Sequence, residues 1–251
     1  MRPTRISMIN GLFHVTTRCN NKNFYFQQEE DFVEYLKILE KAREKYSFKL
    51  HAYCITSNHV HLLISTPTDD NLSRLMQFIN GEYAKNYNRR HKRTGHFWGG
   101  RFYSTIIDSE TQLLNCIFYI ELNMTRNNVT KHPKEWKWSS YNRHTTGEGL
   151  IDVDYHEVYM NLGKTMKQRQ KKYIEMMEER MKERGLLTKK PQMTYGLIFG
   201  SESFIKDVIN KYTSHKYYQK RKCCTLDQST SCLRKFKPKF SLNSISNLDF
   251  L

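Results

Sequence analysis

Hydrophobic and polar positions along the chain alternate with a period of two in some stretches and recur near 3.6 in others, and the switching between the two periods predicts its elements. Residues 12–18 alternate around Phe13, Val15 and Thr17 and read as a strand closed by Asn20-Asn21. Residues 29–46 set Phe32, Leu36 and Leu39 on one stripe with charges elsewhere, the pattern of an amphipathic helix. Strands at 49–55 and 59–65 follow, joined by a tight turn at Asn58. A second helix over 70–90 is carried by Leu72, Leu75, Met76, Ile79 and Tyr83, and 102–107 reads as a further strand. Strand, helix, strand, strand, helix, strand is a split βαβ order. It predicts an α+β fold with a ferredoxin-like antiparallel sheet and helices on one face.

A third helix is expected over 109–126, opened by Ser109 and Gln112 at capping-box spacing, with Leu113, Ile117, Ile120 and Met124 on its apolar stripe. Tyr119 lies off that stripe, and Asn123, one turn later, shares its face. Residues 127–133 form a polar loop, and Trp136 and Trp138 are expected to pack a turn onto the core. Residues 152–213 read as helical throughout. Past 216 the chain is rich in Lys, Ser and Asn with little periodicity. The predicted organisation is a first domain over 1–145, a helical extension over 146–215 and a basic, flexible tail over 216–251.

Charge narrows the class of partner. The chain holds 41 Lys+Arg against 25 Asp+Glu, a net charge of +16, with 13% aromatic residues, which is more positive than solubility requires and points to a nucleic acid. Between Glu82 and Asp108 there is no acid, and Lys85, Arg89, Arg90, Lys92, Arg93 and Arg101 are interleaved with Tyr87, Phe97, Trp98 and Tyr103. That mixture suits a groove that tracks phosphates and stacks unpaired bases; the plainer reading is a solvated face with Phe97-Trp98 in the core. The six cysteines show no C-x-x-C pairing, and Cys223, Cys224, Cys232 and His215 are poorly spaced for zinc, so reduced thiols are expected. With no signal peptide and no apolar run of about 18 residues, a cytoplasmic location is expected and no membrane partner.

The candidate chemistry starts at His59-Val60-His61. On a strand the two imidazoles point the same way while Val60 and Leu62 point the other, which makes half of a metal site; a chance pair on a polar sheet face is the plainer reading. Tyr119 and Asn123 could project toward them.

Four motifs in order carry a resemblance: Ser57-Asn58-His59-Val60-His61-Leu62-Leu63-Ile64, Gly95-His96-Phe97-Trp98-Gly99-Gly100-Arg101-Phe102-Tyr103, Phe118-Tyr119-Ile120-Glu121-Leu122-Asn123 and Trp136-Lys137-Trp138-Ser139-Ser140-Tyr141. Over about residues 8–145 the chain resembles the REP-associated tyrosine transposases, relatives of the single-tyrosine, IS200-like HUH transposases, where HUH means His-hydrophobic-His. The resemblance implies a transposase that cleaves and rejoins hairpin-containing single-stranded DNA, as a monomer or homodimer. It makes Tyr119 the nucleophile that forms a 5′-phosphotyrosine and frees a 3′-OH, with no nucleotide cofactor. It makes His59, His61 and Asn123 the ligands of Mg²⁺ or Mn²⁺, and places Arg18, Asn20 and Arg126 among the DNA contacts. The relatives run on into a proline-containing segment where this chain has Met124-Thr125-Arg126-Asn127-Asn128, and 196–204 resembles an extension whose short helix follows a glycine. Two other readings stand beside this one. One is a domesticated relative that binds hairpins without cutting. The other is a His-based phosphodiesterase, which lacks support because Leu63 sits where a histidine-triad enzyme needs another histidine and no second two-His motif occurs.

Overall fold

The computed structural model describes residues 6, 8–67, 71–182, 196–212 and 232–234. Its central strand is β1 (Gly11–Arg18), which pairs antiparallel with β3 (His59–Thr66) from Gly11↔Thr66 through Arg18↔His59. On its other side β1 pairs antiparallel with β4 (Tyr103–Ile107), and β2 (Lys49–Ile55) pairs antiparallel with the outer side of β3. The helices α1 (Glu29–Lys45) and α2 (Asn71–Arg90) make the two crossovers, so the order β2-β3-β1-β4 is the predicted ferredoxin-like one.

Strand alternation sorts side chains between two cores. Phe13, Val15, Val60, Leu62, Ile64 and Ile106 face Leu36 and Leu39 of α1 and Leu75, Met76 and Ile79 of α2. On the opposite face Leu12, Ala52, Cys54, Leu63 and Ile107 meet α3 (Leu113–Glu121), which contributes Leu113, Ile117 and Ile120. Trp136 and Trp138 close the first core as expected: Trp136 Nε1 donates to the Ile55 carbonyl at 2.9 Å and Trp138 stacks on Phe32 at 4.7 Å.

The α+β class holds, with differences that follow from long-range pairing. Helices cover both faces rather than one, because α3 packs opposite α1 and α2. The sheet is mixed rather than wholly antiparallel, because β5 (Gly196–Phe199) lies parallel to β4; a strand therefore stands where 152–213 reads as helix. After it comes α8 (Glu202–Tyr212), the short helix expected beyond Gly200. Helix α3 begins at Leu113, not at Ser109. The turn before it is held by Asp108, whose carboxyl accepts from Glu110 N–H at 3.2 Å and Thr111 Oγ1 at 2.8 Å, and also from Ser201 N–H at 3.0 Å. Gly200 permits that approach, since a Cβ there would lie 2.4 Å from Asp108 Cβ. Most of the expected tail at 216–251, with Cys223 and Cys224, lies outside the described residues, as does His215; Cys232–Arg234 form β6, antiparallel to β5.

One buried carboxylate ties α1 to the end of α2. Asp31 is fully buried; its Oδ2 accepts from the N–H groups of Gln27 and Gln28 at 3.1 and 3.0 Å, which completes a capping box, and its Oδ1 accepts from Arg90 at 2.5 Å and His91 at 2.8 Å. Burial alone would raise this carboxyl, but those hydrogen bonds outweigh it and hold the group below its ordinary value. A depressed folded value gives stability that is complete above the unfolded value, about 3.9, and lost as pH falls toward and through the folded one. We predict that Asp31→Asn costs about 2–4 kcal/mol at neutral pH and flattens the acid limb of stability below about pH 4, read by urea unfolding against pH. An acid limb identical to wild type would show that Asp31 is not its source.

Candidate functional site

The site lies on the sheet face that α3 only partly covers. Cross-strand partnership sets its rows: Cys54, His61, Thr16 and Tyr103 are successive partners across β2, β3, β1 and β4, with His59 opposite Arg18 at the end of the sheet. His59 and His61 therefore face the same way, as the alternation predicted, with ring centroids 4.8 Å apart. His59 is half-buried, and its Nδ1 lies 2.8 Å from Thr56 Oγ1. His61 is enclosed. Its Nδ1 lies 2.8 Å from His14 Nε2 and 3.3 Å from Thr16 Oγ1, and its Nε2 lies 3.0 Å from the Asn123 amide.

Tyr119 reaches this cluster from α3, its ring centroid 6.1 Å from that of His61 and 5.8 Å from that of His14. A short break at Leu122 separates α3 from the single turn α4 (Asn123–Arg126), which carries Asn123 to His61 and Arg126 to the nucleophile candidate. The Arg126 guanidinium sits over the Tyr119 ring at 3.7 Å. Asn127 donates from Nδ2 to the Asn123 carbonyl at 2.7 Å and to Asn123 Oδ1 at 3.2 Å, so the segment that departs from the proline pattern supports the amide. A cavity of about 600 Å³ adjoins Arg126, lined also by Leu122, Thr125, Val129, Lys131 and Met181.

The electrostatics favour a neutral imidazole. Burial pushes the His61 value well below the ordinary one, and the positive charge of His59, His14, Arg126 and Arg18 pushes it the same way. Burial also lowers the Arg126 value, with Tyr119 and Cys54 opposing. His14 and Thr16 escape a motif search, though their signal was present: they are the alternate positions of the strand read from Phe13, Val15 and Thr17.

The basic stretch divides between surface and scaffold. Lys85, Arg89, Lys92 and Arg101 are exposed, and Arg18 and Asn20 are half-buried beside the site. Arg90 is held by Asp31. Arg93 is committed to Tyr25, with its guanidinium 4.4 Å from the ring, and to Asn88 and His96 through hydrogen bonds. Phe97 is a correction. It is 1% exposed inside a cluster with Tyr25, Phe26, Tyr83 and Tyr87, so it packs the core and offers no face to a base. Trp98 is half-buried against Phe97 and Tyr83, with Nε1 donating to the Asn80 carbonyl at 2.9 Å, also a scaffold role. Among the described residues no three of His, Cys, Asp and Glu gather as a metal cluster. None of their helices is long and apolar enough to cross a membrane.

Residues 7–123 match the family described as "Transposase IS200 like", and the match ends on Asn123. Over those residues, just under half of the chain, it is similar to the IS200-like transposases. A protein of Haemophilus influenzae assigned as a REP-associated tyrosine transposase is 27% identical over 125 residues, 46% of this chain and 71% of its own. A solved REP-associated tyrosine transposase bound to a REP hairpin has a TM-score of 0.50 at 18% identity, over 62% of this chain and 91% of that one, which shows the shared fold. Residues beyond Asn123 back α3 from outside. Helices α5 (Tyr141–Thr146), α6 (Glu157–Met160) and α7 (Met166–Lys182) pack on the outer side of α3, where Phe118 meets Tyr173 at 5.2 Å.

Glu121, two residues after Tyr119 and 1% exposed, locks that packing. Its carboxyl meets Ser140 Oγ at 2.6 Å, His144 Nδ1 at 2.7 Å and Tyr173 Oη at 2.6 Å. Motif spacing gives no sign of this network, since its members are 19 to 52 residues from Glu121. Removing the acceptor would leave several buried polar groups unpaired, so we expect Glu121→Ala to lose about 3 kcal/mol or more in denaturant unfolding. A loss under about 0.5 kcal/mol, the range of an ordinary surface change, would contradict the role.

Proposed function

We propose that the chain is a metal-dependent single-strand DNA endonuclease and transposase that cleaves and rejoins hairpin-containing DNA through Tyr119. The observation that carries this reading is the convergence of Tyr119, His59, His61 and Asn123 from three separate elements onto one sheet face, with Arg126 against the phenol. Tyr119 Oη attacks the phosphorus of a DNA phosphodiester, the bond to O3′ breaks, and a 5′-phosphotyrosine and a free 3′-OH result, the phenolic proton replacing the lost bond at O3′ or passing to solvent. Attack by a second 3′-OH reverses the exchange, restores the phenol and joins strands, with no change in the number of phosphodiester bonds. Arg126 supplies a fixed cation to the phosphate oxygens.

Two imidazoles and an amide oxygen are a donor set of the kind that holds a divalent ion, with the Asn123 amide turned to present Oδ1 in place of the Nδ2 that faces His61 Nε2 at 3.0 Å. His59, His61 and Asn123 would hold Mg²⁺ or Mn²⁺, which would supply Lewis-acid polarisation of the phosphate and orient it. For His61 to offer a lone pair at Nε2, Nδ1 must carry the proton and donate to His14 Nε2 or Thr16 Oγ1, so these residues set the tautomer. A neutral, buried His61 suits that use. We expect His14→Ala to weaken Mn²⁺ binding about 10- to 100-fold in a calorimetric titration, the usual cost of losing an outer support. Wild-type affinity in that variant would remove His14 from the supporting role.

The covalent step is read directly with end-labelled hairpin DNA from the sequence bordering the gene, incubated with Mn²⁺ or chelator and run on a denaturing protein gel. The expected result is a metal-dependent shifted band for wild type and none for Tyr119→Phe, with DNA binding retained in both. An equal band in the variant excludes Tyr119 as the nucleophile. His61 and Asn123 are only 2% and 3% exposed, which is the observation favouring the second reading, a hairpin-binding protein that does not cut. Tight binding with no band in wild type would select it.

A further inference from the structure

Helix α3 covers the part of its sheet face that is apolar, over Leu12, Leu63 and Ile107, and leaves the end that holds Arg18, His59 and Tyr103. Of the six aromatic residues between Glu82 and Asp108, Tyr83, Tyr87, Phe97 and Phe102 are buried and Trp98 is half-buried. Tyr103 is 52% exposed. Its place is set by register rather than by a mobile loop, since its partner on β1 is Thr16 and the partner of Thr16 on β3 is His61. The three side chains share a face, which puts Tyr103 two strand spacings, about 10 Å, from His61. Arg101 is exposed two residues earlier, and Arg18 lies half-buried at the same end of the sheet.

A single exposed aromatic is ordinary on a protein surface. This one sits in the cross-strand row of His61, on a rigid strand, with Arg101 two residues before it and Arg18 two residues beyond its partner Thr16. We propose that Tyr103 is a stacking platform for one unpaired base of the DNA strand whose phosphate lies at His59 and His61, an inference that rests on the nuclease reading above. An aromatic ring stacks any base, so the platform positions the strand without reading its sequence. It would hold the nucleotide near the cleaved bond while Arg18 and Arg101 track the backbone.

The test uses fluorescence anisotropy with a labelled hairpin bearing a single-stranded flank from the DNA bordering the gene, and a series in which one abasic site is moved along that flank. Tyr103→Ala should bind the intact probe roughly 5- to 100-fold more weakly, the usual loss of one stacked base, and Tyr103→Phe should bind like wild type. In wild type one abasic position should reproduce that loss, and in Tyr103→Ala the same position should add nothing, the signature of a coupled pair. Unchanged binding by Tyr103→Ala, or an abasic penalty that persists in it, overturns the platform. The adduct assay run in parallel separates the two readings. Adducts with no Tyr103 coupling leave the nuclease and remove the platform; coupling without adducts leaves the platform as part of a hairpin binder. No single-strand binding by wild type overturns both. Tyr103 is exposed, so a melting curve matching wild type is expected and confirms that the variant folds.

Discussion

The site depends on the pairing of β3 with β1, an uninterrupted antiparallel ladder from Gly11↔Thr66 to Arg18↔His59. Because side chains alternate strictly, a slip of one residue would send His59 and His61 into the core packed by α1 and α2 and bring Val60 and Leu62 out toward Tyr119. The apolar residues Val60, Leu62 and Ile64 oppose that slip, since they would all leave the core with it. The same alternation that buries the first core therefore aims the polar residues at the opposite face. Packing and chemistry are two sides of one ladder.

On that opposite face, α3 must bury an apolar stripe and present a tyrosine, and it does both because it is covered from two sides. Leu113, Ile117 and Ile120 seat it on the sheet, while Phe118 and Glu121 hold it to α5 and α7. A nucleophile on a helix so fixed loses little freedom when substrate arrives, which is the advantage of placing reactive groups on rigid elements. Helices α5 and α7 thus contribute to the position of Tyr119 from the outer side of α3.

Positive charge is divided in the same way. Arg90 and Arg93 neutralise or pack against buried groups of the scaffold, whereas Arg18 and Arg126 stand next to the histidines. The second pair raises the local potential and helps keep His61 neutral. An anionic strand would be attracted by the same charges that favour an uncharged imidazole.

Local periodicity was enough to determine much of this protein. The strand and helix order, the shared direction of His59 and His61, and the common face of Tyr119 and Asn123 all follow from periods of two and 3.6, which are properties of a few consecutive residues. The four ordered motifs were enough to point to the IS200-like transposases, whose family description matches residues 7–123. Other features were decided only by tertiary structure. His14 and Thr16 join the site through cross-strand register, Glu121 meets Ser140, His144 and Tyr173 across long sequence separations, and Asp108 replaces Ser109 in the turn before α3 because Ser201 comes to meet it. Phe97 went to the core and Tyr103 to the surface although both lie in one basic, aromatic stretch. Periodicity reports which way a side chain points from its own element; which other element covers it depends on contacts between residues far apart in the chain, and those exist only once the sheet and its helices have assembled.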